Sequence, residues 1–150
     1  MNVSLSVFKF MRHTVENLPH CKKLGLKFTQ LDEGVGAMQL DPKPEFIGNT
    51  AQNFMHSAIV TTLLDTLCGT VASSAYSEGR TVATLDLRLD HLDRLHGDRT
   101  LYAKAECFHH NDDVAYVRGW AWQDSEDKMV AKATGTFMAS GTFKLQKEDM

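Results

Sequence analysis

The chain of 150 residues is poor in the residues that carry special chemistry by themselves. Cys21, Cys68 and Cys107 are an odd count at wide spacings without a C-x-x-C pair, which suits reduced thiols rather than a disulfide framework and leaves zinc-type ligand spacing absent. Basic charge is not in excess. Sixteen Lys and Arg against 19 Asp and Glu give a formal net charge of −3, so nothing attracts a phosphate backbone and no nucleic-acid partner is expected. No apolar run reaches the ~18 residues of a membrane span, and the first residues lack the basic-then-apolar order of a signal peptide. A cytoplasmic protein with no membrane partner is expected. There is no glycine-rich phosphate loop, since Gly34-Val35-Gly36 is too short and reads as a turn, and no G-x-S-x-G elbow surrounds Ser57. His109 and His110 would point to opposite faces of a strand, and His91 and His96 straddle a strand end and a turn, so no metal and no cofactor are expected.

What remains is an ordinary globular composition, 43% hydrophobic and 23% charged, at a length that predicts one domain over 1–150. Val3, Val7, Phe10, Met11, Val15 and Leu18 recur at steps of three and four with Lys9, Arg12, His13 and Glu16 between them, the pattern of an amphipathic helix that stops near Pro19. Two short strands, residues 26–31 and 35–40, form a hairpin between Gly25 and the next prolines. Pro42 and Pro44 open an irregular stretch to about Met55. From Phe46 to Ser77 only one formal charge occurs, on Asp65, while Ile59-Val60, Leu63-Leu64, Leu67-Cys68 and Val71-Ala72 fall four residues apart. A helix whose polar side is only Thr, Ser and Gly is expected to be surrounded by protein on all sides.

The remainder reads as strands. Residues 82–92 alternate Ala83, Leu85, Leu87 and Leu89 against Thr84, Asp86, Arg88 and Asp90, and three further strands follow, separated by turns short enough for antiparallel neighbours. Each of the three has a face of small residues: Ala103, Ala105 and Cys107; Ala115, Val117, Gly119 and Ala121; Ala131, Ala133 and Gly135. Small side chains on adjacent strands leave a trough, and the buried helix is its natural occupant. The expected class is α+β, one curved antiparallel sheet wrapped around one long central helix, with an additional N-terminal helix. Val114, Tyr116, Trp120 and Trp122 on the far sheet face predict self-association.

Asp65 is the leading candidate for chemistry, because a carboxylate in an otherwise uncharged helix must be paired, hydrogen-bonded or functional. His56 lies near the start of the same helix, with Asn53 before it as a possible cap. At ~100° and 1.5 Å per residue, the nine residues between His56 and Asp65 place them on opposite sides and ~13 Å apart. A site using both must be shared between subunits. The helix start offers unpaired N–H groups and a partial positive charge suited to a developing oxyanion, and the nearly uncharged segment 48–55 before it reads as a loop that closes over a ligand.

Three stretches resemble the PaaI-like acyl-CoA thioesterases of the hotdog-fold superfamily. Residues 48–58, Gly-Asn-Thr-Ala-Gln-Asn-Phe-Met-His-Ser-Ala, followed by Leu63-Leu64-Asp65, are similar to the family's Asn, His-Gly-Gly and Leu-x-Asp pattern. Thr84-Leu85-Asp86-Leu87 resembles the opening of the strand after the helix, and residues 130–137 resemble the last strand. The resemblance implies a hotdog fold paired into a homodimer or homotetramer, and hydrolysis of an acyl-CoA or acyl carrier protein thioester. It implies Asp65 as general base or nucleophile, the Ser57 N–H as oxyanion donor across the dimer, Thr84 as an orienting group, and His56 as the motif histidine. Asn49 and Asn53 are the candidates for the motif's substrate-binding Asn. The sequence departs from the family where Ser57 and Ala58 replace two glycines, where Asn53 stands at a frequent Gly, and where His91-Leu92-Asp93-Arg94 lacks a proline. Two other functions fit the same fold: an enoyl-CoA hydratase or dehydratase, which needs a His and an acid in one site, and a non-catalytic acyl-thioester binder.

Overall fold

The computed structural model describes residues 3–142. The outermost residues of the expected 1–150 domain and the side chain of Val3 lie outside what is described. Helix α1 (Val3–Asn17) buries Val7, Phe8 and Met11 and half-buries Phe10 and Val15. Phe8, outside the expected apolar stripe, is buried, whereas Leu18 stays 47% exposed. Pro19 ends α1 and also opens a second short helix, α2 (Pro19–Leu24), at the position where its missing N–H costs nothing. Gly25 closes α2 at φ 84, a left-handed cap whose N–H returns to Cys21 O.

Strands β1 (Lys27–Asp32) and β2 (Val35–Leu40) form the expected hairpin. The stretch read as irregular holds a single 3-10 turn and a two-stranded sheet of β3 (Ile47–Asn49) and β4 (Phe54–Met55). Then come α3 (Ala58–Ser74), β5 (Arg80–His91), β6 (Leu101–His110), β7 (Val114–Trp122) and β8 (Met129–Thr142). The main sheet is antiparallel in the order β1-β2-β6-β7-β8-β5, so β1 and β5 are its edges.

The small-residue trough exists and α3 lies in it. Ala103, Ala105, Ala115, Val117, Ala121, Ala131 and Ala133 are no more than 3% exposed. A Cβ on Gly119 would stand 2.9 Å from Cys68 Sγ, and one on Gly36 2.9 Å from Val71 Cγ2. Val60, Leu63, Leu64, Leu67 and Val71 are fully buried, each contributing about 1.5–3 kcal/mol of burial. Four uncharged polar residues of α3, Thr61, Thr70, Ser73 and Ser74, have partners in the chain. Ser74 Oγ accepts the Gly34 N–H at 3.1 Å and donates to Val71 O at 2.9 Å, tying the β1–β2 turn to the end of the helix. Ser73 Oγ donates to Arg80 O at the start of β5.

Three expectations require correction. The chain does not surround α3, because Ala58, Thr61 and Asp65 are exposed and Thr62, Thr66 and Gly69 only half-buried. Its uncharged polar stripe is therefore open along the side next to β5. Second, β5 does not alternate in one register. A bulge between Thr84 and Asp86 leaves Leu85 unpaired and 52% exposed, and such an insertion reverses the faces that follow it. Thr84 is paired with the fully buried Phe137 and so shares its helix-facing side, whereas Ala83 is paired with the exposed Met138. Third, the large apolar residues most exposed are Leu92 at 56% and Leu85, not the four named on the far face of β7, which are half-buried. There Trp120 Nε1 donates to Glu126 Oε1 at 2.9 Å and Tyr102 stacks on Trp122.

Candidate active site

The reversal of β5 faces brings two of the sequence candidates together. Thr84 Oγ1 donates to Asp65 Oδ1 at 3.2 Å, fixing one carboxylate oxygen, and among the described residues the other has no hydrogen-bond partner. The pair stands in a cavity of about 410 Å³ between α1, α2, α3 and β5, lined by Met11, Val15, Leu18, His20 and Cys21 on one side and by Thr66, Gly69, Thr70, Ser73, Thr81 and Val82 on the other. The walls are mostly apolar or small, and Asp65 is the only carboxylate among them. The neighbouring thiols are unsuited to nucleophilic chemistry. Burial, and after it the charge of Asp65, pushes Cys68 up to about 12, and burial raises Cys21 as well.

The start of α3 is built differently from its far half. Asn53, expected as a helix cap, lies four residues too early. It adopts φ 55, the left-handed region in which Asn is tolerated better than most residues, and its carbonyl accepts the Gly97 N–H at 2.8 Å. A Cβ on Gly97 would lie 2.8 Å from that same carbonyl, so Gly97 is needed there. Asn49 closes a local turn, its Oδ1 accepting the N–H of Gln52, three residues on, at 3.0 Å. His56 supplies the cap. Its Nδ1 accepts the Ala58 N–H at 3.1 Å, and its own N–H donates to Phe46 O at 2.7 Å. Ser57 is helical at φ −60, ψ −24, so it needs no glycine, and its side chain makes no capping bond. Among the described residues the Ser57 N–H has no acceptor, which leaves it directed outward from the helix start.

Within one chain these two halves do not meet. Neither His56, Ser57, Asn49 nor Asn53 lines the cavity holding Asp65 and Thr84, and Asn53 lines a separate cavity with Lys43, Ile47 and Thr50. Eight residues of α3 separate Ser57 from Asp65, a rise of ~12 Å.

A family model described as the thioesterase superfamily matches residues 52–130, spanning the start of α3, Asp65, Thr84 and the sheet to the beginning of β8. The chain belongs to the thioesterase superfamily. This member, a thioester hydrolase by family, has the hotdog fold and is PaaI-like. A solved protein of Pseudomonas aeruginosa shares 32% identity at TM-score 0.77, covering 89% of this chain and 99% of that one. The medium/long-chain acyl-CoA thioesterase YigI of Salmonella typhimurium is 26% identical over 138 residues, 83% of this chain and 87% of its own. The Escherichia coli PaaI protein from the phenylacetic acid degradation operon shares the fold at TM-score 0.79 and 22% identity, over 94% of this chain and 99% of its own.

Sequence reasoning missed the cavity wall. Met11 and Val15 were read as core, and they are core on one side and cavity lining on the other. Leu18 and His20 carried a weak signal, an apolar residue stranded at a helix end beside Pro19. Gly69 carried a clearer one. A glycine inside a helix costs about 1 kcal/mol relative to alanine, yet the nearest atom to a Cβ there is Phe137 Cε1 at 3.6 Å, an ordinary contact.

Proposed function

We propose that this superfamily member hydrolyses acyl-CoA thioesters in a site shared by two subunits, with Asp65 as general base or nucleophile. The observation that carries the reading is the open Asp65 carboxylate, held by Thr84 at the mouth of a cavity with apolar walls. With Asp65 as base, the carboxylate takes a proton from water as its oxygen attacks the thioester carbonyl. The carbonyl becomes an oxyanion, which requires a donor. The Ser57 N–H is the free donor that the helix start offers, and it is out of reach of Asp65 in its own chain, so Ser57 of the partner subunit fills the role. Collapse of the tetrahedral intermediate expels the coenzyme A thiolate, which takes up the proton, and leaves the free acid.

Dimerisation about β5 fits this scheme. As an edge strand β5 invites pairing, and a second copy against it would also cover the uncharged stripe of Ala58, Thr61 and Thr62. His56 holds the helix start in shape, and Asn49 and Asn53 shape the loop that the thioester would cross. The free cysteines fit a reducing compartment, the cytoplasm. Hydrolysis is favoured over a passive binder because Ser57 sits unstrained with its N–H open, and over a hydratase because the His56 Nδ1 is engaged by the Ala58 N–H.

The test is thiol release from butanoyl-, octanoyl-, palmitoyl- and benzoyl-CoA by the wild type and Asp65→Asn. Hydrolysis by the wild type that falls ~10²–10⁴-fold in the variant is the expected result. Equal rates in the two would remove Asp65 from the chemistry.

A further inference from the structure

We infer that the cavity is a closed-ended acyl groove whose depth selects chains of about nine to ten carbons, and that Gly69 sets its bore. The inference rests on the thioesterase reading and concerns which acyl group that site takes.

Two hydrogen bonds mark the ends of the groove. Thr84 of β5 bonds to Asp65 of α3 at one end, and Arg80 O of β5 accepts from Ser73 Oγ of α3 at the other. The helix and strand run antiparallel between these ties. Eight helical residues rise ~12 Å, and four strand residues span ~13 Å, so the two estimates of the length agree. Asp65, Gly69 and Ser73 follow one another at steps of four along this wall and all line the cavity. The opposite wall is α1, through Met11 and Val15, with the half-exposed Leu18 just past its end.

That wall is fastened to the sheet. Arg12 donates to Phe28 O at 2.7 Å, and Glu16 Oε1 accepts the Phe28 N–H at 2.7 Å, so two side chains one helical turn apart hold both polar groups of one residue on the edge strand β1. A groove with a fixed roof has a fixed depth. An alkyl chain built of ~1.5 Å bonds at near-tetrahedral angles advances about 1.3 Å per carbon, which gives the nine to ten carbons stated above.

Gly69 stands midway, one helical turn or ~6 Å beyond Asp65. In contrast to Gly36 and Gly119, it is not required by a neighbouring atom of the chain. What its missing side chain leaves open is the groove. A leucine there would block passage beyond about the fourth or fifth carbon.

The experiment measures kcat/KM for butanoyl- through palmitoyl-CoA with the wild type, Gly69→Ala and Gly69→Leu, each checked by thermal unfolding. The wild type should rise with chain length to about ten carbons and gain nothing further. Gly69→Leu should lower the decanoyl-to-butanoyl ratio at least tenfold, with Gly69→Ala intermediate. An unchanged ratio in folded Gly69→Leu would overturn the assignment. Calorimetric binding of decanoyl-CoA and butanoyl-CoA in the Asp65→Asn background reads the groove without turnover. If the wild type hydrolyses no ester, the thioesterase reading fails, and decanoyl-CoA still binding tighter than butanoyl-CoA, with Gly69→Leu abolishing the difference, would uphold the groove. Equal binding of the two would end it.

Discussion

Ser57 carries its proposed role on a backbone atom, so the informative substitutions separate backbone from side chain. Ser57→Ala keeps the N–H and should keep the rate. Ser57→Pro deletes the N–H at a residue whose φ of −60 already suits proline, and loss of one oxyanion donor should lower kcat by ~10²–10³. Steady-state thiol release on folded protein checks both; a slow Ser57→Ala would transfer the role to the hydroxyl. Thr84→Val removes the one hydrogen bond found for Asp65 among the described residues and should lower kcat about tenfold, with little change in KM. Cys68 makes a prediction about pH. Its thiol is raised to about 12 by burial and then by Asp65. Below an unfolded-state value near 9 both states are protonated and the stability is fully present. Between pH 9 and about 12 only the unfolded state ionises, so stability should fall by at most ~1.4 kcal/mol per pH unit. Cys68→Ala should flatten that slope in denaturant titrations, and an unchanged slope would assign it to other groups.

At the scale of elements, Gly69→Ala should stabilise the fold by about 0.4–1 kcal/mol, since the position is helical and sterically free. Chemical denaturation reads this independently of any effect on substrate; destabilisation would mean that the helix is strained there. The α3 segment was legible because its apolar pairs and its lone charge are local facts, and the small-residue faces of β6, β7 and β8 announced the trough that receives it. The β5 register was not legible. An unbroken period of two placed Thr84 away from the helix, while the resemblance to a known family placed it beside Asp65. The bulge at Leu85 resolves the conflict, and no turn residue or glycine in the sequence marks it. The openness of α3 beside Asp65 was likewise missed, because an uncharged polar stripe reads the same whether its cover comes from one chain or two. His56 as the cap was hidden by Asn53, a better capping residue type held four positions too early.

For the whole molecule, the fold class, the order of α1, α3 and the six strands of the main sheet, and the far aromatic face were readable from composition and periodicity. The cavity was not, since it is assembled from α1, α3 and β5, which are distant in sequence and touch only in the fold. The central claim is that Asp65 and Ser57 of different subunits make one site, and mixing two inactive proteins tests it most directly. Asp65→Asn and Ser57→Pro chains, unfolded together and refolded at equal ratio, form mixed dimers in which one site receives both substitutions and the other receives neither. With a two-fold interface, half of the dimers are mixed and half of their sites intact, so about a quarter of wild-type thiol release should return. Activity no greater than the sum of the two parents, with mixed dimers present by mass, would contradict the shared site.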